Sequence, residues 1–364
     1  ITAGSTPTDG PWQLELAPGW NQVGNPFAFA VAWDSVRVEG GEARDAVVEP
    51  PVAWAAGAGY QDGVQVLEPW QGYWVKNITD PPRAVMLEIP AREAPVIEPA
   101  KTLADEEGWR ITIRASAAGA LDANTRLGCA SGAAAGWDLL DRSEPPLSPE
   151  RGLSVYFPHG EWDRHPGAYT ADIRATMEST AGTSGHRWCF DVAKNFRDED
   201  SGNTVSLEFS GQDAVSPDLA ISLLDRVLGR VQDLRDTPDY AFHLGAVEAV
   251  NAAAAARFVL LVGDEDFVAG ELEGLSIPPA RTALHQNYPN PFNPETVIRW
   301  DVAEAGRVDL RIYDLAGALV KSVQAGDLPP GGYEFVWRGE DDRGRQVASG
   351  VYVYRLQAGA TVQT

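Results

Sequence analysis

Apolar and polar residues alternate in short runs along most of this chain, and Pro, Gly, Asn and Asp interrupt the runs at intervals of roughly 10 to 20 residues. Alternation with period two places one set of side chains on each face of a strand, so the pattern predicts short half-buried strands. In the first ninety residues the expected runs are Trp12–Leu16, Trp20–Phe27, Val64–Leu67, Pro69–Val75 and Ala84–Ile89. A second series covers Trp109–Arg114, Gly152–Phe157, Ala168–Ile173, Arg187–Val192, Thr204–Phe209, Leu219–Leu224, Val231–Leu234, Tyr240–Leu244 and Arg257–Val262. Residues 219–234 also fit a helical period, but Asp225, Arg226 and Gly229 look like turn residues and favour a hairpin. Ala252–Ala256 has high helix propensity.

The last eighty residues carry the most specific wording. They contain Asn290-Pro291-Phe292-Asn293-Pro294, then Tyr313-Asp314 with Gly317, then Trp337. The turn Asp341-Asp342-Arg343-Gly344 and the run Ser349-Gly350-Val351-Tyr352 follow. In this order the motifs resemble the C-terminal sorting domain of proteins exported by the type IX secretion system. They also resemble the related Ig-like domain of the flagellar hook-capping family. The resemblance implies an exported protein, displayed or released outside the cell, that meets a secretion machinery. The sorting pattern normally closes with a further basic-apolar strand beyond Thr364, so the resemblance implies an open sheet edge after Leu356. The phrases GWNQVGNPF from Gly19 and PWQGYWV from Pro69 resemble, less specifically, a small β-module that precedes such signals in large secreted bacterial proteins.

Together these patterns predict an all-β fold of three tandem β-sandwich or Ig-like units joined by short Pro-rich linkers. The expected units are residues 1–97, a small Trp-rich module with an N-terminal arm; 98–280, a jelly-roll or Ig-like sandwich; and 281–364, the sorting-type domain. Residues 91–107 are charged and Pro-punctuated and read as linker. Composition agrees: 36 Gly and 26 Pro among 364 residues leave little room for long helices, and 44% hydrophobic residues suffice for packed cores. No run approaches the roughly 20 apolar residues that span a membrane, and the stretch that begins at Ile1 shows no charged n-region or apolar h-region, so the sequence reads as a mature product or a fragment.

The formal net charge is −23, and residues 1–280 hold 20 Lys/Arg against 42 Asp/Glu. Such a body repels phosphate backbones and argues against nucleic-acid partners. Solubility outside the cell and divalent-cation binding both remain open as reasons for it. Cys129 and Cys189 are the two cysteines, and in an exported protein a pair predicts one disulfide.

Candidate chemistry is sparse. HExxH, GxxxxGK[ST] and GxSxG motifs do not occur. Ser184 precedes His186 by two residues in a Gly-rich stretch, but a serine nucleophile needs its base in space rather than in sequence. His159 and His165 bracket Glu161 and Asp163 without the spacing of a structural zinc site. Asp198, Asp200 and Asn203, or Asp264 and Asp266, offer hard oxygen donors for a structural calcium ion, with a solvated turn as the plainer reading. No other cofactor is implied. Trp70 and Trp74 share strand parity, so they would line one face, either as core filling or as a platform for sugar rings. Asn77-Ile78-Thr79 is a glycosylation sequon.

The expectation for function is a non-catalytic extracellular structural or assembly protein, a surface, matrix or filament subunit. It would associate with itself or with other surface proteins through exposed strand edges. The alternative is a set of carbohydrate-binding accessory modules from a larger secreted hydrolase.

Overall fold

The protein is described by a computed structural model covering residues 9–55, 59–94, 108–134, 136–148, 151–177, 184–196, 204–244, 256–275, 279, 281–328, 331–359 and 361–364. It is all-β, with one α-helix, Glu265–Leu275, among the described residues. The expected N-terminal arm and most of the expected linker lie outside the described residues.

Buried apolar side chains gather into three main clusters. The first belongs to small sheets near the N-terminus. Trp12–Leu16, Val85–Ile89 and Arg37–Val38 form one; Gly19–Gly24, Gly72–Asn77, Val52–Ala55 and Gly59–Gln61 form another. Alternation works here as expected: Val85, Leu87 and Ile89 are buried while Met86 and Glu88 are half-buried. The tryptophans do not fill this core. Only Trp33 among those of the first module joins it, beside Leu16, Val31, Leu67 and Val75.

The second cluster fills one sheet of eleven strands. Its path runs Arg230–Asp233, Ala220–Asp225, Phe258–Gly263, Gly185–Lys194, Leu153–His159, Gly167–Ala175, Ala120–Ala130, Gly108–Ala117, Thr204–Ser210 and Asp239–His243, with Arg142–Ser143 paired to Gly167–Ala175 off the path. All neighbours are antiparallel except Ala120–Ala130 against Gly167–Ala175. The sheet curls so that its two halves share a core. Phe258 and Phe190 from one half stack at 5.0 Å, and Phe242 from the other stands edge-on to Phe258 at 4.9 Å. Residues 220–233 form the expected hairpin, with Gly229 at φ 59° in its turn. Asp225 is not a turn residue in water, however. It is fully buried and accepts bonds from Arg257, Tyr240 Oη and the Val227 and Leu228 amides, at 2.6 to 3.1 Å. A buried carboxylate is tolerated because every lone pair has a donor.

The third cluster lies between two C-terminal sheets. One holds Ala283–Leu284, Thr296–Val302 and Gly331–Trp337; the other holds Leu319–Leu328, Gly306–Asp314, Tyr352–Ala358 and Thr361–Gln363. This is an Ig-like sandwich. The open edge expected after Leu356 is not bare, because Thr361–Gln363 turns back and pairs with Leu356–Ala358. The sandwich docks on the large sheet: the Gly332 amide donates to the Leu228 carbonyl, and the His243 amide to Glu334 at 2.6 Å.

The expected disulfide is absent. Cys129 and Cys189 are free thiols on strands with two others between them in the sheet. They also face opposite ways, Cys129 into the shared core and Cys189 against the cluster containing Val259 and Val268. Burial pushes the Cys129 thiol up to about 12, so it is no ready nucleophile. Denatured protein without reductant is therefore expected to titrate two thiols, and none would restore the bridge. Phe258→Ala is expected to cost about 3–5 kcal/mol in urea unfolding. A loss under about 1 kcal/mol would mean the curled core is not as described.

Candidate functional site

The N-terminal sheets sit on the outer face of the large sheet, and that face is polar. Strands that bury one set of side chains in the core present Arg126, Ser154 and Thr170 on the other. The contact is close at Gly59: its φ is 76°, and a Cβ there would lie 2.6 Å from the Leu121 carbonyl oxygen. Tyr60 Oη donates to the Pro146 carbonyl at 2.6 Å, and Asn124 Nδ2 donates to the Tyr60 carbonyl. Beside these contacts lies a cleft of about 790 Å³. Trp33, Arg44, Glu49, Tyr60 and Asp62 line it from one side; Arg110, Asp122, Arg126, Trp137, Arg142 and Glu144 line it from the other.

Most of its charges are matched. Arg126 pairs with Asp62, and Arg44 pairs with Asp45 at 2.7 Å while lying over the Trp33 ring. Glu49 crosses the interface to accept from Ser143 Oγ at 2.5 Å and the Ser143 amide at 3.1 Å. Lys76 Nζ donates to the same hydroxyl at 2.6 Å. Burial lowers the Lys76 pKa, and the Glu49 carboxylate opposes that effect.

Three carboxyls are pushed upward. Burial takes Asp122 to about 6, against bonds from the Val155 and Asn124 amides. Burial likewise takes Asp141 to about 7, against amides of Asp138 and Ile173, with Asp172 and Asp138 adding repulsion. Glu144 rises well above the ordinary range through burial and then its neighbour Asp122. Ser154 Oγ donates to Glu144 Oε1 at 2.7 Å and the Thr170 side chain also helps hold the carboxyl, whereas Oε2 has no partner in hydrogen-bond geometry. Asp122 has no such opening: one oxygen faces the Val155 amide and the Thr125 hydroxyl, the other the Asn124 amide. The pair thus presents one uncommitted oxygen, not an acid facing a base.

The residues singled out by sequence mostly serve structure. His159 is buried, stacked on Trp162, with Nδ1 2.9 Å from Glu161 and Nε2 2.9 Å from Asp172. Both nitrogens are engaged, which leaves none for a metal. Burial alone would lower its pKa, but the Asp172 and Glu161 bonds outweigh it and raise it. Asp172, bonded to His159 and Arg174, falls to about 2 despite its burial. His186 bonds the Ala175 carbonyl, not Ser184. Asp264, offered by the sequence as a calcium donor, caps the helix. Its two oxygens accept the Phe267 and Ser184 amides at 2.7 and 2.6 Å, and Asp266 sits in the first turn. Asp198, Asp200 and Asn203 lie outside the described residues. Among the described residues no group of three or more His, Cys, Asp or Glu is placed to hold a metal ion. Trp70 precedes the strand that carries Trp74, at φ 63° and 84% exposed, so the shared-face argument fails; Trp74 meets Trp20 edge-on. Asn77 is buried and bonded to the Leu16 and Arg83 carbonyls, which closes its sequon.

The C-terminal motifs build turns and a core. Phe292 packs on Trp337 at 5.4 Å, and Trp337 meets Tyr352 edge-on at 5.0 Å. Asp314 accepts the Gly317 and Ala318 amides, with Gly317 at φ 81°. Asp342 ties the Ser322 amide, and Gly344 turns at φ 73°. Asn290, Pro291, Asn293 and Pro294 lead into the strand Thr296–Val302, and Gly350 precedes the strand that starts at Tyr352.

Residues 292–361 match the family of the FlgD Ig-like domain. That match covers the sandwich core and the turns just described. A solved structure with some likeness is the dimeric latent PorU of Porphyromonas gingivalis, 12% identical over 70% of this chain at a TM-score of 0.20; the chain spans 29% of that one. No curated protein matches the sequence.

Sequence reasoning missed the cleft, because its lining comes from scattered loops and strands with no local motif. Glu144 supplies a test. A carboxyl raised in the fold stabilises fully below its unfolded pKa and loses that contribution as pH rises through its folded value. Glu144→Gln keeps the Ser154 bond without the buried charge. It is expected to melt about 2–4 °C higher than wild type at pH 8 and to show a shallower fall in melting temperature between pH 5 and 8. A drop at pH 8 as large as that of Glu144→Ala would show that the ionised carboxylate is needed.

Proposed function

We propose that this is a non-catalytic extracellular protein, exported by a type IX-like route and retained at or released from the cell surface as an assembly or scaffold component. The FlgD-like Ig match at 292–361 carries this reading, since the motifs of the sorting resemblance fall in that same sandwich. The chemistry of the cleft supports a non-catalytic role. Asp122, Asp141 and Glu49 spend their oxygens on backbone and serine donors, and His159 and His186 are held in structural bonds. Catalysis by general acid and base needs groups free to exchange protons with a substrate. Among the described residues no helix is long and apolar enough to cross a membrane.

Contacts with other chains would use sheet edges and exposed apolar side chains. Leu319–Leu328 lies at one edge of the C-terminal sandwich, and Leu315, Leu319 and Val351 are exposed there. The export reading is tested by expressing the full chain, and the same chain ending at residue 280, behind a signal peptide in a bacterium with type IX machinery. The full chain is expected at the surface or in the medium and the shortened one in the periplasm. Equal export of both would remove the sorting role. Strictly monomeric sedimentation of the purified protein at high concentration would remove the assembly role.

A further inference from the structure

We infer that the cleft between the N-terminal sheets and the large sheet binds an acidic saccharide, an oligosaccharide bearing a uronic-type carboxylate. The inference goes beyond the export reading and does not depend on it.

The cleft volume, about 790 Å³, falls within the roughly 300 to 1,000 Å³ of pockets that hold small ligands. Its walls gather unmet polar groups. Trp33 Nε1, Trp137 Nε1 and Glu144 Oε2 are buried and have no hydrogen-bond partner, and all three residues line this one cleft. Native folds pair such atoms almost without exception, so a cluster of unpaired ones points to a missing ligand and its waters.

The cations supply the second half of the argument. Arg44 and Arg126 have carboxylate partners, but Arg110 and Arg142 have no ion pair among the described residues. Arg142 spends one nitrogen on the Leu139 and Asp141 carbonyls, which anchors its guanidinium in the lining with no ion pair to its other nitrogens among the described residues. A guanidinium fork matches a carboxylate in two parallel bonds. Seven acidic side chains share the lining, but Asp62 is paired with Arg126, Asp34 and Asp45 with Arg44, and Glu49 accepts from Ser143, while Asp122 and Asp141 accept backbone amides and Glu144 accepts from Ser154, so none of them is in an ion pair with Arg110 or Arg142 among the described residues. Trp137 and Tyr60 add aromatic surface against which the apolar face of a pyranose packs.

Other ligands fit less well. An apolar molecule would leave the guanidiniums and Glu144 bare, at the cost of desolvating them.

The test is calorimetric titration of the full chain with trigalacturonate, and with maltotriose as the neutral counterpart. Trigalacturonate is expected to bind, and maltotriose at least tenfold more weakly. Arg142→Ala is expected to weaken binding at least tenfold and Arg142→Lys to recover only part of it. Trp70→Ala, outside the lining, should leave binding unchanged. Should Arg142→Ala melt below wild type, Arg110→Ala gives the same reading through the other free cation. No heat with trigalacturonate at millimolar concentration would overturn the proposal. So would equal binding of maltotriose, indifference to both arginine changes, or loss of binding in Trp70→Ala.

Discussion

The outer face of the large sheet is charged, and the N-terminal sheets are seated on it. That constraint shapes the rest of this molecule. Taking Glu49, Lys76 and Arg126 out of water is expensive unless each meets a partner. The structure supplies them across the contact: Glu49 with Ser143, Lys76 with the same hydroxyl, Arg126 with Asp62. Where the matching is complete the surfaces touch, as at Gly59 and Leu121. Where it is incomplete a cleft remains, with Arg142 and Glu144 at its edge. An apolar contact would bind the two layers with less geometric demand. A polar one fixes register, since a shift of one residue would separate every pair at once.

Much of the fold was legible because alternation and turn residues speak locally. Val85–Ile89 and Thr204–Ser210 bury every second residue, and all the strands expected in the large sheet are present. The strand Ala120–Ala130 was not foreseen. Its Ala, Asp, Asn and Gly content reads as loop, and its pairing depends on a register shift opposite Ile113 and Ala115 and on a parallel neighbour far along the chain. The helix Glu265–Leu275 was not foreseen, because the acidic cluster at its start was read only for its oxygen donors and not for Asp264 as a cap. Trp70 misled through parity, because a residue at φ 63° is not part of a strand. The cysteine pair misled through composition, because strand order and facing are tertiary facts.

The candidate site lay beyond local reading for the same reason. Glu49, Asp122 and Glu144 come from three separate stretches, and nothing near any of them resembles a motif. What the sequence did hold was the C-terminal wording, and the structure explains why that wording is compact. Phe292, Trp337 and Tyr352 form one aromatic contact, while Asp314, Gly317, Asp342 and Gly344 shape turns. The motif is in the first instance a recipe for a sandwich. An address could be read from it only through the surface that sandwich presents.

The seating of the N-terminal sheets is the claim on which both the cleft and its ligand depend. Amide hydrogen exchange at Ser143 tests it directly, because that amide donates across the contact to Glu49. Slow exchange in the intact chain, comparable to neighbouring strand amides and lost in Glu49→Ala, is what the account predicts. Fast exchange at Ser143 in the unaltered protein would mean that the charged face is open to water, and the account would fail.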